Sequence, residues 1–109
     1  MSARTDAEAA YFALLRAIDE RDALLRERDY LHAERDRLDA FAEELRHGET
    51  ALPRPPTRAV SATTKPLLEA LGSRRAAVIE ALERVDERIE AAEAFVAECQ
   101  AEHQRLRSG

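Results

Sequence analysis

Two columns of apolar residues run along the second half of this chain at helical spacing. One reads Leu68, Arg75, Leu82, Ile89, Val96, His103, and the other, three residues on, reads Leu71, Val78, Val85, Ala92, Cys99, Leu106. Alternating steps of three and four residues mark the seam of a left-handed coiled coil. The seam passes Gly72-Ser73 without losing phase, which predicts one helix with a soft spot rather than two. The alternative is a short helix ending at Gly72 and a restart capped by Ser73.

The first half keeps one strict column: Ala10, Ala17, Leu24, Leu31, Leu38, Leu45. Leu14, Ile18 and Leu25 flank it early, and Phe41 and Ala42 flank it late. In the middle the second column fails, because the chain writes the same charged heptad three times. Glu20-Arg21-Asp22-x-Leu24 returns as Glu27-Arg28-Asp29-x-Leu31 and as Glu34-Arg35-Asp36-x-Leu38. Either Arg21, Arg28 and Arg35 or Glu27 and Glu34 must occupy the missing column. Arginine suits it, since its stem can lie along apolar surface while the guanidinium reaches water or a carboxylate. The repeat therefore predicts a thin leucine seam with an ion-pair lattice on both shoulders. Each exposed pair contributes only about 0.3–0.5 kcal/mol, so the lattice sets register and partner choice more than stability.

End signals bound the elements. Thr5-Asp6-Ala7-Glu8 fits a capping box, with Asp6 and Glu8 favoured by the helix dipole. Arg46 and His47 suit a last turn, and Gly48 a left-handed cap. These place a first helix over about residues 6–47, roughly 60 Å long at 1.5 Å per residue. Residues 48–63 read as a Pro-rich linker, extended around Pro53-Arg54-Pro55-Pro56. A second helix is expected over about 64–107, capped by Thr63 or Thr64, with Pro66 in its first turn.

The predicted fold class is all-α: a single domain over 1–109, an antiparallel two-helix coiled-coil hairpin. Antiparallel pairing brings Leu31 near Leu82, Ile18 near Val96, Phe41 near Leu71 and Tyr11 near His103. The apolar face broadens at Tyr11-Phe12-Leu14-Leu15-Ile18, and Leu67, Ile79 and Phe95 add to it. One hairpin seam cannot cover all of these, so dimerisation into an elongated four-helix bundle is expected. The oligomer or partner interface is assigned to Leu24, Leu31, Leu38, Leu45, Val78, Leu82, Val85 and Ile89.

Composition sharpens that picture. Of the 109 residues 36% are charged and 5% aromatic, and nearly half of the 45% hydrophobic content is alanine, which buries little area. Such a chain builds no thick core alone and is expected to associate with itself or with another protein. A formal charge of −5 argues against nucleic acid or an anionic membrane as partner. No apolar run approaches the roughly 20 residues that span a bilayer, and the N-terminus lacks the apolar core of a secretory signal. A lone cysteine fits a reducing compartment, so a cytoplasmic location is expected. Arginine supplies 16 of the 17 basic side chains, read as GC-rich coding bias in a bacterial chain.

Candidate chemistry is sparse. Cys99-x-x-x-His103 has metal-ligand spacing, but zinc wants four ligands, and the pair reads better as seam residues. Asp29, His32 and Asp36 share a face read as the solvated side of the first helix. Leu52-Pro53-Arg54-Pro55-Pro56-Thr57-Arg58 matches the pattern bound by SH3-type domains, with Pro53, Pro55 and Pro56 on a preformed polyproline helix and Arg58 reaching an acidic pocket. Leu15-Arg16-Ala17-Ile18-Asp19 and Leu24-Leu25-Arg26-Glu27-Arg28 resemble the first helix of the all-helical chorismate mutases. That resemblance implies a small dimeric bundle binding a dicarboxylate through core arginines, here Arg21, Arg28 and Arg35. It covers residues 15–28, is out of spacing by one, and finds no counterpart to the family's later lysine and Arg-Glu pair. The reading preferred from sequence is a non-enzymatic coiled-coil interaction module, an adaptor, chaperone or assembly subunit, with no cofactor and no metal.

Overall fold

The computed structural model describes residues 2–50 and 58–109, with side chains described for 2–48 and 62–109. It is an all-α helical hairpin of two helices, α1 over Ala3–Thr50 and α2 over Arg58–Ser108. The seam fixed this outcome: helices this long hold together by burying one stripe of each against the other.

Both helices are longer than their end signals suggest. The N-cap of α1 is Ser2, not Thr5. The Ser2 hydroxyl accepts the Thr5 amide at 3.2 Å and lies 2.9 Å from the Thr5 hydroxyl, while the Asp6 amide donates to the Ser2 carbonyl at 3.2 Å. This is the S/T-x-x-x cap logic shifted three residues upstream, with Thr5 at the third helical position. Gly48 does not terminate α1 in a left-handed conformation. It is helical, no described glycine has a positive φ, and α1 runs on to Thr50.

The linker expected at 48–63 is shorter for the same reason at the other end. Arg58 to Lys65 contains neither glycine nor proline, so α2 begins at Arg58 and Pro66 lies inside it rather than in its first turn. An interior proline removes one backbone hydrogen bond; Thr64, two residues before it and on the seam column of Leu71, is buried. Past Gly72-Ser73 α2 is continuous, as the unbroken seam predicted.

The chain forms two compact units, each made from a stretch of both helices. Unit 1 combines residues up to Asp29 with Arg84–Gly109. It buries Leu14, Ala17, Val85, Ile89 and Val96, with Ile18 and Cys99 packed against Leu14, Ala17 and Val96. Unit 2 spans Tyr30–Glu83 and buries Leu38, Val78 and Leu82, with Leu31 and Leu71 packed against them. The pairings of Ile18 with Val96 and of Leu31 with Leu82 are thus as the antiparallel register requires. No helix among the described residues is long and apolar enough to cross a membrane.

Candidate interaction surface

In unit 1 the apolar column of α2 is complete and that of α1 is not. Val85, only 1% exposed, is the most deeply buried large side chain, and Ile89 lies one turn beyond it. The α1 positions in step with Leu14 at intervals of seven are Arg21 and Arg28, both half-buried. Their stems supply the cover that a second leucine column would, and their heads escape sideways. The Arg21 guanidinium donates twice to Asp22, both at 3.1 Å. Arg28 reaches across to Asp86 at 3.6 Å, and Arg88 returns the crossing to Glu27 at 3.7 Å. The missing column in unit 1 is therefore arginine, with Glu27 left on the shoulder.

Unit 2 resolves the same heptad differently. The Glu34 side chain is 16% exposed, deeper than Arg35 at 33%. Two arginines close over it: Arg37 donates at 2.9 Å from one turn along α1, and Arg74 donates at 3.1 Å from α2. Those hydrogen bonds, that of Arg37 foremost, hold the Glu34 carboxyl below its ordinary range. Arg37 also lies over the Tyr30 ring at 5.9 Å, a cation–π contact. The next residue of α2, Arg75, donates to Asp39 at 2.6 Å. Adjacent arginines of α2 thus grip two α1 carboxylates on opposite shoulders of the Leu38–Val78–Leu82 core. The seam position of Arg75 was readable from the heptad; its grip, and that of Arg74, was not, because ion-pair partners depend on rotamers.

His32 departs from its expected place on the solvated side of α1. It is half-buried, and its Nδ1 is shielded without a hydrogen-bond partner. The helical position four after Arg28 turns it toward the flank of the pairing rather than toward Asp29 and Asp36.

The eight side chains assigned to an interface line one stripe in each helix. Leu38, Val78 and Leu82 form the core of unit 2; Val85 and Ile89 are buried in unit 1; Leu24, Leu31 and Leu45 are half-buried. They serve the chain's own hairpin first. Pro53, Pro55 and Pro56 of the SH3-type pattern lie outside the described residues, and Arg58 opens α2 with its side chain outside the described set.

What the hairpin leaves uncovered was flagged in sequence only as excess apolar width. In unit 1, Tyr11, Phe12, Leu15 and Phe95 are exposed, Phe12 to 59%. Tyr11 meets Phe12 edge-on with centroids 5.8 Å apart and tilts against His103 at 5.4 Å, which realises the expected Tyr11–His103 approach. A groove of about 460 Å³ is lined by Leu14, Ala97, Gln100, Ala101, His103 and Gln104 with Arg107 at its end. A second, of about 320 Å³, lies among Ala10, Ala13, Phe95 and Cys99 between Glu98 and Glu102. Glu102 is paired with Arg105, which holds its carboxyl low and the guanidinium high. Among the described residues of unit 2 the exposed large apolar side chains are Tyr30, Phe41 and Leu67. Cys99 carries a free thiol, and among the described residues no three His, Cys, Asp or Glu side chains gather as a metal site.

Comparison with family models, curated proteins and solved structures finds no match to this chain.

Proposed function

We propose that this chain is a non-enzymatic protein–protein interaction module, an adaptor, chaperone or assembly subunit that works by self-association and by a charged helical surface. One observation carries the reading. Unit 1 leaves Tyr11, Phe12, Leu15 and Phe95 exposed, and among the described residues unit 2 leaves Tyr30, Phe41 and Leu67 exposed. Large apolar side chains gathered on a surface mark sites of association. A homodimer arranged as a four-helix bundle is the simplest way to cover them.

The core arginines favour this reading over a dicarboxylate pocket, since Arg21, Arg28 and Arg35 already pair with Asp22, Asp86 and Asp36. The net charge disfavours nucleic acid as partner, and the free thiol suits the cytoplasm of a bacterial cell.

Light scattering combined with thermal melting at a series of protein concentrations tests the proposal. Dimer mass and a melting temperature that climbs with concentration are expected. A monomer whose melting is independent of concentration, and which is stabilised by small dicarboxylates, overturns it.

A further inference from the structure

Unit 1 carries a ridge and a groove on the same side, and their residues match in order. Glu8, Tyr11, Phe12 and Leu15 are spaced i, i+3, i+4, i+7, so they form one stripe of α1. Ala97, Gln100, Ala101 and Gln104 repeat that spacing on α2 and, with Arg107, line the larger groove. Bulky side chains fill the first stripe and small or slender ones the second. Stripe and groove are neighbours within one copy, since His103 both walls the groove and takes the Tyr11 ring.

We propose that this face of unit 1 is a two-fold interface whose occupant is the same face of a second copy. The inference rests on the interaction-module reading and names the surface that performs it. In an isologous contact each copy offers both halves, so the α1 ridge of one enters the α2 groove of the other, and the reverse. Run antiparallel, the stripes pair Leu15 with Ala97 of the second copy and Tyr11 and Phe12 with its Ala101 and Gln100. Glu8 then lies opposite Gln104, one turn from Arg107 and within reach of its long side chain. Size and charge agree together: Tyr11 and Leu15 face alanines, Phe12 faces a slender glutamine, and the acid of the ridge lies within one turn of the arginine at the end of the groove. Among the described residues Glu8 pairs with Arg4, 3.4 Å away on an exposed turn. Tyr11 and Phe12 are residues that anchor interfaces, large and stiff for the entropy they lose. A heterologous partner needs only one half of this lock, whereas a second copy uses both.

Four variants of the full chain decide the matter by light scattering and sedimentation, with helicity followed in parallel. Phe12→Asp spoils the ridge and Ala101→Trp fills the groove. Each should halve the mass to the 12.2 kDa monomer while helicity persists, since both positions are exposed. Glu8→Arg should weaken dimerisation roughly fivefold or less, and adding Arg107→Glu in the same chain should restore it. That rescue needs no unaltered fold argument, because it gains affinity. A parent that stays monomeric overturns this interface and the self-association it rests on. A dimeric parent whose Phe12→Asp and Ala101→Trp variants remain dimeric, or a charge reversal without rescue, overturns the interface alone and leaves the interaction module standing.

Discussion

The two units are built from the same two helices, yet they close by different means. Unit 2 shuts its seam with charge: Arg74 and Arg75 hold Glu34 and Asp39 across the helices, and Arg37 completes the cover of Glu34. Among the described residues, no such clasp surrounds Leu14, Ala17 and Val96 of unit 1. Its helix–helix ion pairs, Arg28–Asp86 and Arg88–Glu27, are longer, and its far end rests on the Tyr11–His103 ring contact. Alanines at positions 10, 13, 17, 97 and 101 keep that end slim and leave grooves beside it. The difference teaches that a two-helix seam can be finished internally, by long side chains that fold over it. It can also be left unfinished, by small residues next to large exposed ones. The closed unit holds its helices in register by charge, and the open one leaves large apolar side chains uncovered, as the proposed interface requires.

The sharpest way to break this contrast is to remove one core leucine from each unit. Leu82→Ala in unit 2 and Leu14→Ala in unit 1 each delete a buried side chain, at a cost of about 2–5 kcal/mol. If unit 2 is closed within the chain, Leu82→Ala should lower the denaturant midpoint equally at all protein concentrations. Leu14 borders the proposed interface, so the loss from Leu14→Ala should be largest at high protein concentration and shrink on dilution, where the parent also loses its partner. Equal concentration dependence for the two variants would erase the distinction between the units.

The fold was legible because its signal is redundant. Twelve α2 seam positions, Leu68 to Leu106, keep one phase, so a single misfit such as Arg75 or Gly72 could not hide the helix. The helix ends were not legible to the residue. Capping signals are local and cheap, about 1 kcal/mol each, and several compete: Ser2 precedes Thr5, and Gly48 is overridden by a helix that continues for two more residues. The charged heptad was half legible. Counting by sevens from the buried Leu14 reaches Arg21, Arg28 and Arg35, which assigns the missing column. That Glu34 sinks deeper than Arg35 depends on Arg37 and Arg74, forty positions apart in sequence from Glu34 in the second case, and no heptad count finds it. The Tyr11–Phe12–Leu15 ridge was visible as surplus apolar width. The groove beside it was not, since alanine reads equally as helix former and as missing bulk.

A milder probe exchanges the arginine that covers the unit 1 core. Arg28→Leu completes the apolar column of α1 and releases Asp86 to solvent. Replacing a partly buried ion pair by a well-packed hydrophobe is often neutral or stabilising, and here a gain of about 1 kcal/mol is expected in chemical denaturation. Arg35→Leu should gain less, because Glu34 and its two arginines already seal that turn of unit 2. If Arg28→Leu destabilises the chain, the arginine is holding the register of the two helices within unit 1 through Asp86 rather than merely shielding Val85 and Ile89.

The smallest effect is the most specific to unit 2. Its hydrogen bonds to Arg37 and Arg74 hold Glu34 below the ordinary carboxyl value of 4.5, so the folded chain binds that proton less readily than the unfolded one. The stabilisation is then fully present above 4.5 and fades as pH falls through the lowered value. Glu34→Gln removes it at every pH. The variant should unfold at slightly lower denaturant than the parent near neutrality, and the gap should close on acidification, where protonated Glu34 has lost the same charge. Salt should narrow the gap as well, since the arginines involved are largely solvated. Amide exchange along α1 locates the effect: acid should speed opening in residues 30–48 of unit 2 more in the parent than in Glu34→Gln. A gap that persists undiminished in acid would mean that Glu34 acts by its packing against the helix pair, and that charge does not close this unit.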